Sequence, residues 1–91
     1  MNQSVIFTDL VEWDELQQTV IFIAQVQGMN VNCIIPIAKL LEKTQDKASD
    51  VVQMQQEHVL ALFERVRFDF EDLAEELIEA EEFDEQGNIL L

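Results

Sequence analysis

Ninety-one residues with an apolar share of 48% give room for one domain, residues 1–91, built on a single thin core. Nineteen acids against five bases set the formal net charge at −14. That excess excludes direct nucleic-acid binding through phosphates, an affinity that comes from Lys and Arg displacing counterions, and it excludes attraction to an anionic membrane.

In chain order, MNQSVIFTD holds no basic segment and no long apolar run, so no secretory leader is expected. Ser4–Thr8 (SVIFT) alternates with β-branched and aromatic residues and reads as a short strand. Asp9–Glu15 (DLVEWDE) reads as a polar turn, with Trp13 folded back over a sheet. Thr19–Gln27 (TVIFIAQVQ) is the clearest strand. Val20, Phe22, Ala24 and Val26 line one face, while Ile21 and Ile23 point to the other, so its middle is expected to be covered on both sides. Gly28-Met29 then suits a two-residue type II′ hairpin turn, with Gly28 first, leading into Asn30–Ile35 with Val31, Cys33 and Ile35 in phase.

Pro36 suits a helix start, because its missing N–H would be unpaired in the first turn, and Ile37–Lys43 fits a short helix. The longest apolar run, Ile34–Ala38, contains Pro36 and falls far short of the ~20 residues that span a bilayer. From Ser49 to Glu82 there is no Gly or Pro, and Ser49 or Asp50 can cap a helix N-terminus. Val59, Phe63, Val66, Phe70, Leu73, Leu77 and Ala80 recur at spacings of four and three, which predicts one long amphipathic helix. About 34 helical residues would span ~50 Å, whereas a compact chain of this size has a radius of gyration near ~13 Å. The helix is therefore expected to bend around Gln53–Glu57, or to project and pack against another copy. Gln86-Gly87-Asn88 closes it, and Asn88–Leu91 reads as a terminal strand. The expected fold is α+β: a small antiparallel sheet (N-terminal strand, hairpin, C-terminal strand) packed against a short helix and one long amphipathic helix.

MNQSVIFTD, EWDE, VIFIAQVQGMNVNC, FERVRFDFEDLAEELIE and DEQGNILL, in that order, give the chain a recognisable outline. It resembles, over nearly its whole length, a family of short bacterial proteins catalogued as domain of unknown function 1488. The resemblance implies a compact α+β domain and brings no activity, ligand or catalytic residue with it.

Residues 69–91 carry ten acids and no base, and EDLAEELIEAEEFDE places nine carboxylates within Glu71–Glu85. On a wheel at 100° per residue, Val59, Val66, Phe70, Leu73, Ala74 and Leu77 cluster about Phe63. Arg65, Asp72, Glu75, Glu76 and Glu79 fall opposite, as the solvated back of the helix. Like-charge pairs such as Glu71–Glu75 and Glu75–Glu79 each cost about 0.2–0.5 kcal/mol, and acids at a helix C-terminus oppose the macrodipole. Burial of each large apolar residue contributes about 1.5–3 kcal/mol, so the seam outweighs the repulsion without a counterion.

No cofactor or metal is expected. An EF-hand centred on Gly87 would use Glu82, Asp84, Gln86 and Ile89, but its bidentate Glu would fall past Leu91. An ordinary turn is the expectation there. His58 lacks the Glu three residues before it that a di-iron bundle uses. Cys33 is the single cysteine, which leaves no internal disulfide and no cysteine-based zinc cluster. In phase with Val31 and Ile35, it reads as a core residue rather than a nucleophile, and a lone buried thiol suits a reducing cytoplasm.

Glu12, Asp14 and Glu15 around Trp13 read as a polar turn without the support a paired-carboxylate site needs. Phe68 falls among the acids, off the core face, where it can stack on Arg65, stand alone at the surface, or meet a partner. Arg67 is expected to pair with Glu71. The leading expectation is a non-enzymatic, cytoplasmic protein-interaction domain, homodimeric along the long helix, with Arg65, Phe68, Asp72, Glu75, Glu76 and Glu79 as candidate partner contacts. The alternative is a polyanion mimic that occupies a basic nucleic-acid-binding protein.

Overall fold

The computed structural model of the chain describes residues 5–45 and 55–91. Alternating residues build three long strands, β1 (Val5–Asp14), β2 (Thr19–Val26) and β3 (Met29–Pro36). Helices α1 (Ile37–Thr44), α2 (Gln56–Arg65) and α3 (Arg67–Glu79) follow, and then β4 (Ile89–Leu90). The sheet runs in the order β1-β2-β3-β4. The fold is α+β, as expected. Its sheet is mixed, because β4 pairs parallel to β3 through Cys33↔Ile89 and Ile34↔Leu90. A helical crossover is what delivers a parallel neighbour, and the helices lie between these two strands in sequence.

All three helices cover one face of the sheet. Val20, Phe22, Ala24, Val31, Cys33 and Ile35 from the strands pack with Leu40, Val59, Leu62, Phe63, Phe70, Ala74 and Ile78 from the helices, and Ile89 of β4 completes this core. Phe7, Phe22 and Phe63 form a row of rings, with centroids 6.1 and 5.2 Å apart, and the Arg67 guanidinium lies 5.7 Å from the Phe63 centroid. An Arg–Phe contact forms on Arg67 and Phe63, while Phe68, for which a stack on Arg65 is one of three expected alternatives, stands exposed.

Asp9–Glu15 is not a turn. Most of it continues β1 to Asp14, and Trp13 is a strand residue opposite Val20, packed against the core. The acids that suggested a turn, Asp9, Glu12 and Asp14, sit on an edge strand where one side stays wet. Between Phe7↔Ala24 and Val11↔Phe22 the pairing slips, so Thr8, Asp9 and Leu10 bulge opposite Ile23. Thr8 Oγ1 holds the bulge, donating to the Ile23 carbonyl at 3.1 Å and accepting from Leu10 N–H at 3.1 Å.

The hairpin closes at Val26↔Met29, so its two loop residues are Gln27 and Gly28 rather than Gly28 and Met29. Both have positive φ, 53° and 82°, which identifies a type I′ turn in place of the expected II′. Pro36 caps α1 from outside in an extended conformation, and Ile37 N–H donates to the Gln18 carbonyl at 2.9 Å, tying the helix start to the β1–β2 loop.

The long helix breaks at Val66, where φ is −124° and ψ 18°. Of the bend expected at Gln53–Glu57, the first two positions lie outside the described residues and α2 starts at Gln56; Ser4 and the proposed caps Ser49 and Asp50 also lie outside them. Buried residues are Val59, Leu62 and Phe63 in α2, but Phe70, Ala74 and Ile78 in α3. At 100° per residue the two sets are centred roughly 65° apart, so the break rotates the buried face. Leu73 and Ala80 are thereby turned outward, Leu77 is only half-buried, and Ile78 takes the inner position.

Helix α3 ends without glycine. Glu81 adopts φ 58°, its N–H donates to the Ile78 carbonyl, and Glu82 N–H reaches back to Leu77, each at 3.0 Å. That is a Schellman motif with Glu in the left-handed position. The segment around Gly87 is a separate turn, held by Asp84 Oδ1, which accepts from Gln86 and Asn88 N–H at 2.8 Å each. The Asp84 carboxylate is thus occupied by backbone.

Candidate functional site

With α1, α2 and α3 on one side, the other side of the sheet carries the outward half of each strand's alternation. Ile6 and Gln25 face outward with Asn30, Ile23 with Asn32, and Glu12 and Ile21 with Ile34 and Leu90. Leu10 joins them from the bulge. Ile6, Leu10 and Leu90 are 60%, 62% and 59% exposed, while Ile21, Ile23 and Ile34 are half-buried. The expectation that β2 is covered on both sides does not hold among the described residues. Leu10, Val11, Glu12, Ile21, Ile23 and Asn30 line a shallow groove of about 330 Å³ on this face. Isolated exposed aliphatics are ordinary, but a contiguous field of six is the kind of patch that marks a contact surface.

Little charge interrupts it. The four strands contain three acids, Asp9, Glu12 and Asp14, all on β1, and no Lys or Arg. Gln25 Nε2 donates to Asn30 Oδ1 at 3.2 Å, so this neutral pair is satisfied within the face.

The helical side presents the opposite chemistry. Asp72, Glu76 and Glu79 are exposed on α3, and Glu75 beside them is half-buried. Their spacing of three and four aligns them on one flank. Phe68, one turn earlier, is exposed on the same helix. Arg65 is exposed at the end of α2, across the break at Val66. Five of the six residues singled out from sequence thus share α3, and Arg65 is set apart by the break. A Lys43–Asp69 pair at 3.9 Å, both partners well exposed, links α1 to α3, a geometry of little energetic weight.

Cys33 is fully buried between Phe22 and Ile89 in the sheet, and burial pushes its thiol from 9.0 up to about 12, against a smaller lowering by the Ala24 backbone hydrogen bond. A neutral, enclosed thiol is a poor nucleophile. His58 is exposed in the first turns of α2. No group of three or more metal-ligating side chains forms among the described residues. None of the described helices is long and apolar enough to cross a membrane.

The open sheet face was the surface sequence reasoning missed. Its signal was present in Ile21, Ile23 and Ile34, which alternate against the core residues, but a β-strand that is apolar on both faces reads equally well as enclosed.

A family model described as "Protein of unknown function (DUF1488)" matches residues 5–91. The chain is similar to the "Uncharacterized protein YrdB" of Escherichia coli (strain K12), 36% identical over 91 residues that span 100% of this chain and 99% of that protein. It is similar also to the protein of the same name from Shigella flexneri, 35% identical over 100% of this chain and 99% of that one. The fold is similar to the crystal structure, at 1.60 Å resolution, of a DUF1488-family protein of unknown function from Shewanella loihica pv-4. The TM-score is 0.86 at 43% identity, covering 100% of this chain and 94% of that chain.

Proposed function

This chain belongs to the DUF1488 family of proteins of unknown function, and from that premise we propose that it is a non-enzymatic protein-interaction domain whose contact surface is the open sheet face. The observation that carries the reading is the field formed by Ile6, Leu10, Ile21, Ile23, Ile34 and Leu90 on the side away from the helices. Apolar area of this kind is stabilised when a partner removes it from water, at about 25 cal/mol per Å² before the costs of association. The burial of Cys33 supports the non-enzymatic part, since it withdraws the strongest nucleophile in the sequence.

Affinity capture with the wild-type chain and a Leu10→Glu chain, side by side at low and high salt, tests this. The reading expects bound species, second copies included, that survive high salt and disappear with Leu10→Glu. If nothing binds in that face-dependent manner, the reading falls.

A second reading, polyanion mimicry, is favoured by one feature: Asp72, Glu76 and Glu79 exposed at helical spacing, with no base in residues 69–91. It expects basic proteins that bind Leu10→Glu as well as wild type and elute as salt rises.

A further inference from the structure

We infer that the open sheet face is covered by a second copy of this chain, the two sheets stacking face to face about a two-fold axis. The inference rests on the reading of that face as a contact surface and names its occupant.

Charge distribution selects the occupant. A cationic partner gains most at α3 and gains little at a face whose centre, Ile21, Ile23 and Ile34, carries no charge. What fits that centre is another apolar, uncharged surface, and this chain supplies one of the same size and composition, as an isologous interface requires.

The net charge then selects the arrangement. Two bodies of −14 repel, and pairing through the helices would set Asp72, Glu76 and Glu79 of one copy against those of the other. Stacked sheets lie ~10 Å apart, and a helix layer about 10 Å thick lies beyond each. The two α3 flanks then face outward, about 30 Å or more apart, against a Debye length of ~8 Å in physiological salt. Compared with pairing through the helices, this arrangement opposes fewer acids. Glu12, at one wall of the groove, and Asp14 lie on the edge strand β1, on the side of the patch that solvent reaches.

Area fits a small interface. Three strands at ~4.8 Å spacing and about eight residues at ~3.3 Å rise make a face of roughly 14 by 26 Å, and the two residues of β4 extend one side of it. That places the pair at the small, weakly associating end of protein interfaces, below the ~800 Å² per partner of a standard one.

The test is sedimentation velocity on the purified full chain, from about 1 µM to about 500 µM, in about 20 mM and about 500 mM salt. The expected result is a species of twice the 10.6 kDa chain mass that forms more readily at high salt, because screening removes the repulsion. Ile23→Glu and Leu10→Glu should each weaken pairing by about 100-fold or more, while Phe68→Glu leaves it unchanged. Leu10 is exposed in the bulge, so its variant folds even where Ile23→Glu does not, and circular dichroism verifies this.

A single-chain mass at every concentration overturns the self-pairing. So does a dimer that Phe68→Glu abolishes and Leu10→Glu spares. A monomer that still captures other proteins through Leu10 removes only the second-copy assignment, whereas a monomer with no face-dependent capture removes the interaction reading as well.

Discussion

The Nη2 of Arg67 donates to the backbone carbonyl of Thr8 at 2.6 Å, joining the first turn of α3 to the bulge in β1 across 59 residues of sequence. The same guanidinium donates through Nε to Glu71 at 2.8 Å and through Nη1 to Glu64 at 2.9 Å. Phe7, Phe22, Phe63 and Arg67 lie in a row, and Thr8 follows Phe7, so the contacts close on themselves from sheet to helix and back. The hydrogen bond to Glu71, with the charges of Glu64 and Glu71, holds the Arg67 pKa above its ordinary value, against burial.

Arg67→Ala should cost about 3 kcal/mol of unfolding free energy in urea titration, because it strands a Glu71 carboxylate only 14% exposed and empties the Thr8 carbonyl. Arg67→Lys should recover only part of this, since an ammonium cannot present three donors in one plane. A loss below about 1 kcal/mol for the alanine variant would show that the bulge and the break hold without this residue.

The rotation of the seam at Val66 gives two similar-sized residues of α3, Leu73 and Ile78, opposite surroundings. Ile78→Ala should cost about 2–5 kcal/mol by opening a cavity at a fully buried position. Leu73→Ala should cost less than about 1 kcal/mol, because that side chain is partly in solvent already. Equal losses at the two positions would restore the unbroken helix.

Gln18, Gln27, Gln45 and Glu81 occupy left-handed backbone, and at Gln27 and Glu81 the local motif names a side chain that suits it better. Gln27→Asn creates the Asn-Gly pair that a type I′ turn favours and should stabilise by about 0.5–1 kcal/mol. Glu81→Gly supplies the usual residue of a Schellman cap, removes one acid from the negative end of α3, and should add about 1 kcal/mol. Thermal unfolding of the single and double variants checks both gains and their coupling, since Gln27 and Glu81 line one groove with Met29 and Phe83 and neighbouring sites need not add.

Cys33 gives stability a pH dependence with a definite sign. Its thiol is raised from 9.0 to about 12 in the folded chain. Between those values the unfolded chain has released a proton that the folded chain keeps, so stability falls as pH rises, by up to about 1.4 kcal/mol per pH unit. Below that window the contribution is flat. Cys33→Ala should lose this component of the alkaline slope, read from urea midpoints at successive pH values. An unchanged slope would place the thiol in contact with solvent.

What the sequence made legible was whatever rests on periodicity. Val20, Phe22 and Ala24 alternate, Val31, Cys33 and Ile35 follow suit, and Phe63 and Phe70 recur at helical spacing, so the hairpin and the helical face of the core were readable. What stayed hidden breaks a local rule and is held by contacts distant in sequence. Val66 interrupts a helix with neither Gly nor Pro, and Arg67, the residue after it, reaches Thr8. Glu81 ends α3 in a conformation that glycine usually takes. The second half of β1 was masked by acids that an edge strand tolerates. Ile21 and Ile23 were legible as a second apolar face, but nothing local states whether such a face is roofed.

Strand β4 docks beside Cys33 and Ile34 from the far end of the described chain, and Leu91 N–H donates to the Ile34 carbonyl at 2.9 Å. During synthesis on the ribosome β1, β2 and β3 emerge first, and the β3 rim stays unpaired until the three helices and β4 have been translated. Contacts so far apart in sequence form late, and an unpaired rim invites strands from other nascent chains. Vectorial production therefore leaves this sheet most vulnerable to misassembly at the side that the finished molecule seals with two residues.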